Sequence, residues 1–457
     1  MDPGYNLAEN FVKVSYDDLP QKVVETTKKE IIDTLGVTLA ASSRPEVKKY
    51  VKMFKDFRGR KDSSVIAHGI RLPVAHAAQV NAAMAWCLDF DAVIDNGPVH
   101  HCVVNIPSCF AVSEYKGEIS GKEFITAIAL GDDLMTRLLY ATIYEEKGRH
   151  QAGWNFASLY GSIVSAAITG KILGFDEDKM VSALGIGYER SSGTLQAIND
   201  GAINKAADFA VGNGILGALL VERGITATKN WVEGEFGLYN LYHRGGYDRE
   251  ALLQDLGRVI HEVDLTIKPY PCCRGLHSYI DATLALVNEH NIKPEHVQEI
   301  TASGSRLGYS LSVPKEIKCN PRNPTASQFS VPWAIATAIV KREVSIKDFT
   351  QEALRDTNVL RICNKINPEM DPTLDAIGPH SMRVKIVLNE GTYTKEINDP
   401  TGSPQNPMTF EQCVNKFRDC ALYSIKPLPE ETLSRIVESV IELEKVEDVT
   451  EIIKMIS

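Results

Sequence analysis

Lys268-Pro-Tyr-Pro-Cys-Cys-Arg-Gly-Leu-His277 divides this chain of 457 residues into two regimes. Pro269 and Pro271 fix φ and remove backbone donors, so the first half reads as an extended turn rather than the start of a helix. From Gly275 onward the pattern His277-Ser-Tyr-Ile-Asp-Ala-Thr-Leu-Ala-Leu is helical, which predicts Arg274 and His277 near a helix N-terminus, where anions bind well. Two cations, two thiols and an imidazole thus share one rigid stretch.

Upstream, the periodicity is helical. Val23, Val24, Ile31, Ile32, Leu35 and Leu39 form a stripe at helical spacing, and similar patterns continue to about residue 225. Ala157–Leu173 and Phe209–Leu220 are rich in Ala, Gly and Ser, which predicts buried helices packed closely through small residues. Their glycines lack the strand–turn–helix order of a phosphate loop. After about 258 strand signals enter: Val263, Leu265 and Ile267 alternate, Val297–Ala302 alternates weakly, and Met382–Ile397 reads as a hairpin around Asn389–Thr392. From about 408 helical periodicity returns, with Leu433, Ile436, Val437, Val440 and Ile441 after a Pro429 start signal. The expected fold is mostly α with a smaller α+β domain. A large helical domain takes residues 1–264 and 403–457, and an α+β lid domain takes 265–402.

Composition excludes some functions. A net charge of -10 with no Lys/Arg cluster argues against nucleic acid as a partner, while Lys268 and Arg274 can still form a local cationic pocket. Met1–Asn6 has no signal-peptide character and polar residues interrupt every apolar run, so a cytoplasmic protein without a membrane partner is expected. The nine cysteines lack disulfide-framework spacing and read as reduced, and Cys272–Cys273 has no second pair with which to build a zinc site. No metal is expected.

A second polar cluster, Leu88-Asp89-Phe90-Asp91 followed by Asp95, Asn96, His100 and His101, offers carboxylates and imidazoles for acid–base work, although Asn96-Gly-Pro98 also reads as a plain loop. Lys205, ahead of an apolar helix, is a carboxylate anchor or a proton carrier if it does not simply reach the surface. Cys273, beside Arg274 at a helix start, is a second candidate base, with a pocket-wall thiol as the plainer role. Arg306, Tyr309 and Arg322 read as surface groups.

Leu88-Asp-Phe-Asp91, Lys268–His277, Arg322-Asn-Pro-Thr-Ala-Ser-Gln-Phe-Ser-Val-Pro332 and the order helical, α+β, helical together resemble the MmgE/PrpD family over nearly the whole chain. The resemblance implies a cofactor-free homodimer acting on a small di- or tricarboxylate. Its chemistry makes or discharges a carbanion or enolate beside a carboxylate. Carried over by motif, Asp89, His100, Lys268 and, less closely, Lys205 match catalytic positions; His100 is taken as the acid–base group with Asp89 orienting or charging it, Cys273 is the alternative base, and Asn155, His101, Arg274 and His277 are expected to bind substrate. Asn155 and Cys273 stand where decarboxylase-like members carry histidines. A hydro-lyase, the plain default of the family, is the expected activity, with an epimerase, a decarboxylase or a non-catalytic polycarboxylate binder as alternatives.

Overall fold

The computed structural model describes residues 1–94, 97, 99–143, 153–196, 207–261 and 265–457. The described chain forms two compact units, one of Met1–Cys87, Asp91–Leu265 and Thr409–Ser457, the other of Leu88–Phe90 and Thr266–Met408. The architecture is mostly helical with a small α+β part, as the periodicities predict.

The first unit includes α1 (Gln21–Ala41), α2 (Val74–Trp86), α3 (Cys102–Lys116), α4 (Gly121–Tyr140), α5 (Gly161–Leu173), α6 (Ala207–Glu222), α9 (Phe410–Ala421) and α10 (Glu430–Ile441), with further helices and a small antiparallel hairpin, β1 (Ser63–Val65) and β2 (Ile70–Leu72). The stripe read on α1 is buried throughout. Along it lies α9, started by a capping box in which Thr409 N–H donates to Gln412 Oε1 at 2.7 Å and Gln412 N–H to Thr409 Oγ1 at 3.2 Å. The two helices touch closely enough that a Cβ on Gly36 would lie 2.9 Å from Phe417 Cα. A buried ion pair, Lys416 Nζ to Asp33 Oδ1 at 2.6 Å, joins them.

Small residues also set the approach of α6 to α5, where a Cβ on Gly214 would stand 2.5 Å from Ser162 O. The expectation that α6 is buried on all sides fails on one face: Phe209 and Leu216 are 48% exposed and Leu220 38%. Apolar composition alone cannot separate a buried helix from one with an apolar outward stripe. Ile441, counted in the α10 stripe, is likewise exposed, while Leu433, Ile436, Val437 and Val440 are buried.

The second unit carries one four-stranded sheet of β3 (Val297–Gly304), β4 (Ile366–Met370), β5 (Met382–Leu388) and β6 (Thr392–Ile397) in the order β4-β3-β5-β6. β3 and β4 are parallel, and the other pairs are antiparallel. Strict alternation on β5 buries Met382, Val384, Ile386 and Leu388. They join a core with Tyr279, Ile280, Leu286 and Val287 of α7 (His277–Glu289) and Trp333, Ile335 and Ile339 of α8 (Val331–Lys341).

Because the atom facing Gly214 is backbone, it has little freedom to give way. Gly214→Val should destabilise the protein by about 1–3 kcal/mol, the usual range for overpacking; a drop in the denaturant midpoint at unchanged helical circular dichroism checks this.

Candidate functional site

In the second unit the quoted stretch is held from several sides. Ile267 N–H donates to Gly402 O at 3.2 Å, Tyr270 O–H to Asp281 Oδ1 at 2.7 Å, and Cys273 N–H to Gln328 O at 2.9 Å. A 3₁₀ turn, Arg274–Leu276, leads directly into α7 at His277. The prolines thus do what their geometry requires, keeping the chain extended until Arg274.

Lys268 is buried, and its Nζ donates to Asp89 O at 3.0 Å and lies 3.5 Å from Asp89 Oδ2. Asp89 has φ of 53°, a left-handed conformation that costs a non-glycine residue about 1–3 kcal/mol unless its surroundings enforce it. Gln328 supplies part of that enforcement, since its Nε2 donates to Leu88 O and, at 3.2 Å, to Pro271 O. One buried amide therefore ties the Asp89 loop to the 268–277 stretch. Gln328 lies within the Arg322–Pro332 motif, but nothing local to it points to partners 57 and 240 positions away.

Arg274 is 7% exposed and His277 fully buried. Burial pushes the His277 imidazole well below its ordinary value, and the charges of Arg274 and Lys268 push in the same direction. A neutral His277 donates from Nε2 to Cys272 O at 3.2 Å, which leaves Nδ1 as its lone-pair nitrogen. His277, expected among the substrate-binding residues, thus has one ring nitrogen engaged by the Cys272 carbonyl. Cys272 is buried, and burial raises its thiol well above the ordinary value. Cys273 is partly exposed. Lys318, unnoticed in the sequence, completes the set: its Nζ donates to Phe329 O at 2.6 Å, and burial lowers its pKa while the nearby Cys273 pulls the other way. Arg306 and Arg322 are exposed and Tyr309 is half-buried.

In the first unit, His100 Nδ1–H donates to Asp91 Oδ2 at 2.6 Å, and the Trp86 ring packs against the imidazole at 4.9 Å. Asp91 is fully buried. A carboxylate that orients His100 is therefore Asp91, which the sequence alone leaves without a role; Asp89, expected to orient or charge His100, belongs with Leu88–Phe90 to the second unit and is engaged there by Lys268. His101, expected among the substrate-binding residues, is fully buried between Glu30 Oε1 at 2.9 Å and Asp132 Oδ1 at 2.8 Å. Asn155 is 3% exposed and begins a short helix, Phe156–Leu159, with its N–H on Gly193 O at 3.3 Å. Lys205, Asp95 and Asn96 lie outside the described residues. No described helix is long and apolar enough to cross a membrane.

A cation-rich turn braced against an acidic loop on a lid-sized α+β unit, carried by a chain that is otherwise helical, defines a class. The chain belongs to the MmgE/PrpD family, with the MmgE/PrpD N-terminal domain matching residues 5–250 and the MmgE/PrpD C-terminal domain residues 270–442. Among its relatives, cis-aconitate decarboxylase of Aspergillus terreus (strain NIH 2624 / FGSC A1156) is 28% identical, with 96% of this chain and 93% of the relative covered. Cis-aconitate decarboxylase-like protein oryM of Aspergillus oryzae is 25% identical over 96% and 94%, and the Mus musculus cis-aconitate decarboxylase 23% over 94% and 88%.

Two outcomes follow. Gln328→Ala removes the donor from two carbonyls and should cost about 1–3 kcal/mol, read as a lower unfolding midpoint; an unchanged midpoint would mean the two carbonyls find other donors. Stability should also fall on acidification. A histidine with a depressed folded pKa leaves the unfolded chain alone to take up the proton below about pH 6.5, so stability is present above that pH and declines as pH drops, by up to about 1.4 kcal/mol per unit. His277 acts in this direction, and so does His243, whose burial pushes it to about 4 and whose Nε2 lies 3.0 Å from the Tyr160 hydroxyl. Denaturant midpoints measured from pH 7 to 5 should fall, with a shallower fall in His243→Gln.

Proposed function

We propose that this protein is a lyase that decarboxylates a small unsaturated tricarboxylate of the cis-aconitate type. The observation carrying the reading is the gathering of Lys268, Arg274 and Lys318 about Cys272–Cys273, with Asp89 paired to Lys268. Such a set suits a ligand with several carboxylates. Similarity to cis-aconitate decarboxylases across 96% of the chain supports this chemistry over the hydro-lyase first expected.

In such a substrate the departing carboxylate sits on the carbon next to a double bond. As its C–C bond breaks and CO2 leaves, the electron pair forms a new double bond and displaces the old one. The displaced pair comes to rest on the carbon α to a remaining carboxylate, as an enolate-like dianion. Lys268 and Arg274 are assigned to hold the carboxylates and to stabilise that growing charge, a term that is strong where water is excluded. Protonation at carbon completes the reaction. His100, fixed by Asp91, is assigned as the donor, as carboxylate-oriented imidazoles commonly are. Dimer formation, implied by the family resemblance, belongs to the same proposal, and sedimentation equilibrium tests it.

Proton NMR of the purified protein with cis-aconitate in D2O is the decisive experiment. The expected result is loss of the substrate vinyl signal, appearance of a terminal methylene and one deuterium in the product. Addition of water would return the reading to a hydro-lyase, and deuterium uptake without net conversion would mark an epimerase. In the decarboxylation assay Lys268→Ala should raise KM at least tenfold, and His100→Ala should lower kcat by about 10²-fold or more; near-normal values in either variant would remove that residue from its assigned role.

A further inference from the structure

The first unit contains a group of side chains that the proposed reaction does not use. Glu30 lies on α1, His101 at the N-cap of α3 and Asp132 on α4, and all three are 0% exposed. One ligand atom from each lies within 4.8 Å of the others. Asn105, also 0% exposed, donates from Nδ2 to Asp132 Oδ1. Four buried polar atoms here, Glu30 Oε2, Asp132 Oδ2, Asn105 Oδ1 and His101 Nε2, have no hydrogen-bond partner among the described residues. Buried carboxylate and amide oxygens are rarely left so.

We propose that Glu30, His101 and Asp132 form a structural site for a divalent transition cation, of the Zn2+ or Mn2+ kind. Spacing supports this. Imidazole nitrogen and carboxylate oxygen bind such ions at about 2.0–2.2 Å, which puts neighbouring donors on one face of an octahedron about 3 Å apart. His101 Nδ1 lies 2.9 Å from Glu30 Oε1 and 2.8 Å from Asp132 Oδ1. Two carboxylates also neutralise a divalent ion when His101 ligates as the neutral ring. The nearby carboxylates do not need the same cation, because Asp33 has Lys416 and Asp91 has His100. Half a turn of the Asn105 amide would present its Oδ1 as a fourth donor. Donor chemistry selects the ion class, since an imidazole with two carboxylates lies between the nitrogen-rich and all-oxygen sets. With every ligand buried, the ion would clamp α1, α3 and α4 together rather than meet a substrate.

The test uses the full chain purified without a metal-affinity tag. Mass spectrometry of Mn, Fe, Co, Ni, Cu and Zn should find about one equivalent in total per chain after gel filtration, falling at least tenfold in His101→Asn and Glu30→Gln. Should those variants fail to fold, stripping the natural chain with a chelator in mild denaturant should lower its Tm, and Zn2+ or Mn2+ should restore it. Less than a tenth of an equivalent, together with a Tm that responds to neither chelator nor added ion, would overturn the proposal and leave a shared proton as what balances the cluster. Metal content unchanged in both variants would overturn it equally.

Discussion

Much of the second unit depends on the grip of Lys268 on Asp89. Its ammonium donates to the main-chain carbonyl of a residue 179 positions earlier and lies 3.5 Å from that residue's carboxylate, so a single buried cation holds the left-handed loop and offsets its charge. Without it, the buried Asp89 carboxylate would lose the cation beside it, and its strained backbone would lose one of the groups that hold it. The pairing also explains why Leu88–Phe90 belongs to this unit although both flanking segments belong to the other. Gln328 reinforces the arrangement with neutral donors, so position and charge are supplied by different side chains.

The histidines divide sharply by environment. His277 is sealed and held neutral beside two cations, His100 is set by one carboxylate, and His101 is enclosed by two. Adjacent imidazoles at 100 and 101 therefore have opposite fates. One presents part of its ring to solvent, while the other is entirely internal.

Much of the fold was legible because it rests on local repetition. The α1 stripe, the return of helical period after Pro429 and the Asn389–Gly391 turn, where Leu388 N–H donates to Gly391 O at 2.8 Å, are all patterns that a few residues can express. Burial on α6 was misjudged for the complementary reason, as Phe209, Leu216 and Leu220 carry no local mark of the side they face. At the site, residue types and rough placement could be read, but partnerships could not. Asp91 for His100, Glu30 and Asp132 for His101, and Gln328 for Leu88 are choices made by packing across 9 to 240 positions.

The Lys416–Asp33 pair bears on how the protein is made. Asp33 emerges from the ribosome early, whereas its cation and the whole of α9 emerge only after the second unit has been completed at Met408. Until then α1 keeps an apolar face and a carboxylate destined for burial without the helix that covers them. Domains tend to fold as they are synthesised, and transiently open apolar surface is where aggregation begins. The α+β unit can therefore mature first, leaving the helical unit to be completed last.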